Sequence, residues 1–165
     1  MSLLPKATLY IQLRAHELSV LHVESGHEFR DVPQLAIQQQ AGGKPQILAV
    51  GTPAYRCVHQ PGVHLVNGFE HPRTILADFA YAEKTLIYFV RQAWPRSLFQ
   101  PRPEVILHPL ERLEGGLTAI EIRALCELAV TAGARRAMVW TGIPLTREQL
   151  LSQHFPLELG HLFRP

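Results

Sequence analysis

Residues 104–140 decide the fold, and they read EVILHPLERLEGGLTAIEIRALCELAVTAGARRAMVW. Two short apolar runs, Glu104–His108 and Ala137–Trp140, stand at the ends of this stretch and are typical of strands buried on both faces of a sheet. Between them, Thr118 and Glu121 have the spacing of a capping box, which predicts the start of a helix. The stretch therefore predicts a strand–helix–strand unit with parallel strands.

Four short strands and another helix are predicted upstream. Thr8–Leu13 and Leu18–Val23 flank a polar connection and indicate an antiparallel hairpin. Val32–Gln38 and Gln46–Val50 are two further strand-like runs, and Asp78–Ala93 is a helix with Asp78 as its N-cap. This order predicts an α/β fold, a mixed sheet with flanking helices.

Apolar side chains recur at helical spacing in both helices and predict the faces that pack on the sheet. The predicted stripe of the first helix is Phe79, Ala82, Leu86, Phe89 and Ala93. The predicted stripe of the second helix is Ile120, Ala124, Leu128 and Ala132.

Two segments stand apart from this core within what we interpret as a single domain over residues 1–165. Residues 51–76 are rich in proline and glycine, which favours a small lobe or an excursion over the surface. Residues 145–165 form an apolar C-terminal tail, too apolar to be left in water. We expect the tail to fold back over the domain and to support a weak two-fold dimer.

Composition excludes several classes of protein. The chain has 165 residues, 47% hydrophobic and 18% charged, which is typical of a globular protein and not of a disordered one. Its net charge is only +2 and its basic residues are scattered, which argues against nucleic-acid binding. No apolar run is long enough for a membrane span, and no signal-peptide pattern is visible. These features predict a cytoplasmic protein.

Metal and disulfide chemistry is not expected either. Cys57 and Cys126 form no CxxC motif, and we interpret them as two reduced thiols. The nine histidines include the pairs His59/His64 and His154/His161, but none has helical spacing to a neighbouring ligand. The sequence therefore predicts no metal site.

Two stretches carry a resemblance to a known family. Residues 74–92 read TILADFAYAEKTLIYFVRQ and resemble the segment GVIADFxxTExxLxxFIxQ of the bacterial actin-like MreB family. Residues 121–135 read EIRALCELAVTAGAR and resemble the ERRAIxxxAxxAGAR of the same family. The likeness covers about residues 9–140 and implies a ribonuclease-H-like half-domain, the first domain of an actin-like protein.

The resemblance also implies where a nucleotide would bind. In the family, the first hairpin carries D-L-G-T, whose aspartate holds hydrated magnesium and whose glycine lets the backbone approach the phosphates. Gln12, Arg14 and Ala15 match the aspartate, the glycine and the threonine. Gln12 has no charge for a divalent cation, and Arg14 has a long side chain where the backbone would approach a phosphate. We therefore expect this phosphate site to be lost, with neither ATP nor magnesium as cofactor.

Glu121 is the remaining candidate for catalysis. The matching glutamate in the family helps to position the attacking water, but the capping box gives Glu121 a structural role that we favour. Residues 109–116 are longer than the matching turn of the family, and they place Gly115 and Gly116 at the mouth of the former site. We interpret all of these positions as vestigial.

The sequence thus supports two functions. The favoured one is a non-catalytic interaction module, linked to cell shape or the bacterial cytoskeleton, that binds a filament-forming relative or a second copy of itself. The alternative is an ATP-binding or weakly ATP-hydrolysing protein that keeps its affinity through Arg14, Glu121, Gly115 and Gly116.

Overall fold

The computed structural model describes residues 6–95 and 100–164. Within them the strands are β1 (Thr8–Leu13), β2 (Leu18–His22), β3 (His27–Asp31), β4 (Leu35–Gln38), β5 (Gln46–Val50), β6 (Val63–Val66), β7 (Glu104–Pro109), β8 (Arg136–Gly142) and β9 (Gly160–Phe163). The helices are α1 (Phe79–Ala93), α2 (Ala119–Thr131) and α3 (Arg147–Ser152), with a short 3₁₀ helix at Thr52–Arg56.

The larger sheet has the strand order β3-β2-β1-β7-β8-β9. The pairs β1–β7 and β7–β8 are parallel, whereas β3–β2, β2–β1 and β8–β9 are antiparallel. This mixed sheet with flanking helices confirms the predicted fold class. The carboxyl ends of β1, β7 and β8 lie at one edge, which is where open α/β sheets bind their ligands.

Helices α1 and α2 pack on one face of this sheet because their apolar sides meet the inward side chains of β1, β2, β7 and β8. Phe89 and Leu128 are fully buried in this core, as the sequence predicted. Asp78 caps α1 by accepting a hydrogen bond from the backbone N–H of Tyr81, and α2 begins with the predicted capping box.

The predicted helix stripes are partly wrong. Ile120 is 80% exposed and Phe79 is 37% exposed. The residues of α2 that are buried are Leu125, Cys126, Leu128 and Ala129. The reason is that apolar side chains surround most of α2, so several phases of the helical period fit the sequence equally well.

A smaller antiparallel sheet of order β5-β4-β6 lies between β3 and α1 in the chain. It corrects two predictions. The strand expected from Val32 begins only at Leu35, after Pro33, and β6 lies within the segment 51–76 that was expected to be irregular. Strand β3 was not predicted, because its residues are mostly charged or polar and only Phe29 packs against the core.

The C-terminal tail covers the other face of the larger sheet. Strand β9 pairs with β8, and α3 follows a second capping box at Thr146. The apolar cluster on this face consists of Tyr10, Val23, Ile106, Met138, Trp140, Leu145 and Leu150, with Leu21, Phe155 and Leu162 packed against it. No helix in the described ranges has the length and apolar character needed to cross a membrane.

Candidate functional site at the carboxyl ends of β1 and β7

The end of β1 and the turn that follows it hold the three residues that were matched to the phosphate-binding motif. Gln12 stands opposite His108 and Leu13 stands opposite Pro109 in the parallel pairing of β1 with β7. The backbone N–H of Arg14 donates to the carbonyl of Glu17 at 2.9 Å, which closes the turn into β2. Gln12 and Arg14 are half-buried, whereas Ala15 is buried.

Both the backbone N–H and the backbone carbonyl of Ala15 form hydrogen bonds with side chains. Its N–H donates to Oε2 of Glu111 at 2.9 Å, and its carbonyl accepts from Nδ2 of Asn67 at 2.6 Å. Nη1 of Arg112 donates to the same Glu111 oxygen at 3.0 Å, while its Nε donates to the carbonyl of His71. A carboxylate from the loop after β7 therefore sits against the turn after β1.

Glu121 lies at the start of α2 and uses both of its carboxylate oxygens. Oε2 accepts from the backbone N–H and the hydroxyl of Thr118, each at 2.9 Å, and Oε1 accepts from the hydroxyl of Thr74 at 2.9 Å. The Thr118 N–H is the main reason why the pKa of Glu121 is lowered. The side chain is thus an ionised carboxylate held as a helix cap.

The two glycines of the loop have a different environment. Gly115 and Gly116 have φ of 80° and 81°, and a Cβ at either position would meet no described atom within 4 Å. They allow the left-handed turn before α2, where a side chain would be strained. Backbone geometry accounts for glycine at both positions.

Metal and thiol chemistry was not expected from the sequence. Within residues 6–95 and 100–164, no group of three or more His, Cys, Asp or Glu side chains could hold a metal ion. Cys57 and Cys126 are free, and burial raises the pKa of the Cys126 thiol to about 11, which keeps it protonated at neutral pH.

Several residues near this edge were not predicted from the sequence. Glu111, Arg112 and Asn67 were not singled out, although Glu111 and Arg112 lie in the loop that was recognised as longer than its counterpart. His108 was not singled out either, and it is fully buried between Tyr10 and the carbonyl of Gly142. The signal that could have found it was a histidine inside an otherwise apolar strand, since such a residue needs partners.

A groove of about 610 Å³ lies elsewhere, next to the amino end of β8. Phe79 of α1, Val130 of α2 and Ala137 of β8 supply apolar walls, and Arg123, Arg135 and Arg136 lie at its polar parts. The groove is therefore separate from the edge where β1 and β7 end.

Comparison with known proteins gives several matches to MreB. No family model matches the chain. The cell shape-determining protein MreB of Escherichia coli K12 is 30% identical over 106 residues, which is 64% of this chain and 29% of that protein. MreB of Pasteurella multocida is 31% identical over 98 residues, 59% of this chain and 27% of that protein. The match thus spans less than a third of the length of these relatives.

A shorter match is to the uncharacterized protein YjaA of Escherichia coli K12. It is 42% identical over 71 residues, which is 40% of this chain and 54% of that protein.

Solved structures agree on the fold. MreB5 of Spiroplasma citri bound to AMPPNP aligns with a TM-score of 0.63 and 18% identity over 81% of this chain and 38% of that chain. The MamK double helical filament aligns with a TM-score of 0.57 and 15% identity, over 82% of this chain and 40% of that chain. The chain is therefore similar in sequence to part of MreB, and it shares the fold of these solved actin-like structures.

Proposed function

We propose that this chain is a degenerate actin-like domain that acts as a non-catalytic protein-interaction module of the bacterial cytoskeleton, with a link to cell shape. The single observation that carries the proposal is the identity of the residues at the end of β1. Gln12 and Arg14 stand where the resembling family has the aspartate and the glycine of its phosphate-binding turn. The similarity to cell shape-determining MreB supports the cytoskeletal part of the proposal.

Elementary chemistry explains why these residues argue against ATP hydrolysis. Mg²⁺ is usually bound through carboxylates and phosphates, and the neutral amide of Gln12 is a poor substitute. The Ala15 N–H, which a phosphate would need, already donates to Glu111. Both oxygens of Glu121 are used by Thr118 and Thr74, so this side chain acts as a cap and not as a base.

Association is supported by the exposed apolar side chains of the tail region. Ile143, Leu151, Leu157 and Leu159 are between 44% and 65% exposed, and the backbone N–H of Ile143 donates to the carbonyl of Leu159. This bond makes Ile143 and Leu159 neighbours, and adjacent exposed apolar side chains are typical of interaction surfaces. We assign this surface to contact with a second copy of the chain, since a two-fold dimer is the commonest soluble assembly. The alternative partner is a filament-forming relative, and the sedimentation experiment below distinguishes it from a second copy.

Calorimetric titration with ATP and magnesium tests the non-catalytic part. We expect no binding heat and hydrolysis at background, both in the wild type and in Glu121→Ala. Magnesium-dependent hydrolysis that disappears in Glu121→Ala would overturn the proposal and establish the alternative, a weak ATPase.

Sedimentation over a range of protein concentrations tests the interaction part. We expect a dimer that dissociates on dilution, and that Leu157→Glu shifts toward the monomer. Val58→Glu is the matched control, because Val58 is also exposed but lies near the smaller sheet. If the wild type remains a monomer at all concentrations, the contact with a second copy is wrong, and binding to a purified actin-like filament protein decides between the two partners.

A further inference from the structure

The edge where β1 and β7 end contains two hydrogen-bond donors that converge on one oxygen atom. The donors are the backbone N–H of Ala15 at 2.9 Å and Nη1 of Arg112 at 3.0 Å, and the shared acceptor is Oε2 of Glu111. A buried backbone amide combined with a guanidinium is a donor set that proteins use for phosphate and other oxyanions. The place is also the one where open α/β sheets collect their ligands.

The donors are held in place by contacts that do not involve the Glu111 side chain. Nδ2 of Asn67 donates to the Ala15 carbonyl at 2.6 Å and orients its peptide. The guanidinium of Arg112 is also anchored, because its Nε donates to the His71 carbonyl. The loop itself is tied to β1, since the N–H of Leu110 donates to the carbonyl of Leu13 at 3.0 Å. The arrangement therefore does not need the Glu111 carboxylate in order to persist.

We propose that Glu111 is the built-in occupant of an oxyanion site formed by the Ala15 N–H and Arg112. The site accepts an external tetrahedral oxyanion, such as inorganic phosphate, only when the Glu111 carboxylate is removed. This site rests on the proposed function, because it requires that the edge where β1 and β7 end is non-catalytic. It gives the physical reason why the edge of the wild-type chain is closed to phosphate, since a carboxylate of the same charge sign already occupies the donors.

Thermal unfolding in sodium phosphate and in sodium chloride of equal ionic strength tests the proposal. We expect Glu111→Ala to melt below the wild type in chloride and to recover with phosphate in a saturable way, because a ligand that binds only the folded state raises Tm. Phosphate also stabilises proteins in general by exclusion from their surface. The wild type and Glu114→Ala, an exposed residue of the same loop, measure that general effect.

The double variant Glu111→Ala/Arg112→Ala shows whether the rise of Tm in phosphate comes from this site or from the rest of the surface. We expect it to lose the phosphate response beyond the general effect. If Glu111→Ala responds to phosphate no more than the wild type does, or if the double variant responds as fully as the single one, the proposal is wrong.

Amide hydrogen exchange at Ala15 gives a second measurement. It is made on Glu111→Gln, which can be used even if Glu111→Ala does not fold. We expect exchange at this amide to become about tenfold to a hundredfold faster in Glu111→Gln, since a charge-assisted bond is weakened, and to slow again in phosphate. Exchange that is unchanged by the substitution contradicts the proposal. ATP hydrolysis by the wild type is measured separately, because it would overturn the proposed function without altering the phosphate response of the variants.

Discussion

The hydroxyl of Tyr10 lies 2.5 Å from Nδ1 of His108, in the interior of the sheet between β1 and β7. Nε2 of His108 is 3.0 Å from the carbonyl of Gly142, so Nε2 carries the proton and Nδ1 accepts from Tyr10. The backbone N–H of Leu145 in turn donates to the Tyr10 oxygen at 3.2 Å. This chain of bonds requires a neutral imidazole and joins three strands to the start of the C-terminal tail.

Stability is expected to fall in mild acid because of His108. Burial lowers its pKa to about 4 in the folded protein, against 6.5 for a free histidine. Between these values the unfolded chain takes up a proton that the folded chain does not. The contribution of His108 is therefore complete above pH 6.5, and it declines by up to about 3 kcal/mol as the pH falls to 4.

Urea unfolding between pH 7 and pH 4 checks this expectation, with His108→Gln as the comparison. The decline should be smaller in the variant, which has no titrating group at this position. The difference between the two proteins is the relevant quantity, because burial also lowers the pKa of His22. Equal slopes in the two proteins would show that His108 is not the group responsible.

Glu121→Ala should destabilise the fold through the lost helix cap. The substitution removes the carboxylate that accepts from Thr118 and Thr74, and we expect a loss of about 1–2 kcal/mol in the free energy of unfolding. Glu127→Ala is the control on the same helix. Its exposed pair with Arg123 should contribute no more than about 0.5 kcal/mol. Equal effects of the two substitutions in urea unfolding would contradict the capping role.

Gly160→Ala should weaken the attachment of β9. A Cβ at this position would overlap the ring of Trp140 and lie 2.6 Å from the carbonyl oxygen of Thr141. Neither neighbour can move easily, so we expect a loss of about 1–3 kcal/mol. Gly43→Ala is the control, since its Cβ would come no closer than 3.7 Å to Gln40. Thermal unfolding of both variants distinguishes overlap from a general effect of replacing glycine.

Leu150 and Leu151 are neighbours in α3 with opposite surroundings. Leu150 is fully buried against the sheet, whereas Leu151 is 47% exposed. We expect Leu150→Ala to lower the free energy of unfolding by about 2–5 kcal/mol. Leu151→Ala should change it by about 0.5 kcal/mol or less. Similar losses in urea unfolding would mean that α3 does not pack as described.

Removing residues 145–165 should lower solubility or change the oligomeric state. The truncation uncovers Trp140, Met138 and Ile106, which the tail now covers. Light scattering of the truncated and full-length chains measures the effect. Equal solubility and equal mass would show that the tail does not shield this face.

Local sequence signals predicted the helices better than the strands. Asp78 and Thr118 cap their helices through bonds to residues three positions away, so the signal lies within a few residues. Strand β3 gave no such signal, because it is an edge strand whose charged side chains face water and carry no alternating apolar pattern.

The contacts at the end of β1 could not be predicted from the sequence. The resemblance matched Gln12, Arg14 and Ala15 to a motif of the first hairpin, and in the structure Gln12 lies in β1 and Arg14 in the turn after it. The bond from Ala15 to Glu111, however, joins residues 96 positions apart through an irregular loop. The path of such a loop depends on tertiary contacts, among them those of Arg112 and Asn67, and not on local propensity.

The position of β1 in the middle of the sheet also determines when it can be completed during synthesis. Its hairpin partner β2 follows directly in the chain. Its other neighbour is β7, where Thr8 pairs with Glu104. The end of the hairpin is bonded later still, by Arg147, which donates to the carbonyls of Val23 and Glu24. A ribosome adds about 5–20 residues per second, so the apolar hairpin is made many seconds before its last partner. Folding of this chain therefore depends on contacts between residues that are far apart in the sequence. The newly made hairpin is the segment that we expect a chaperone to bind.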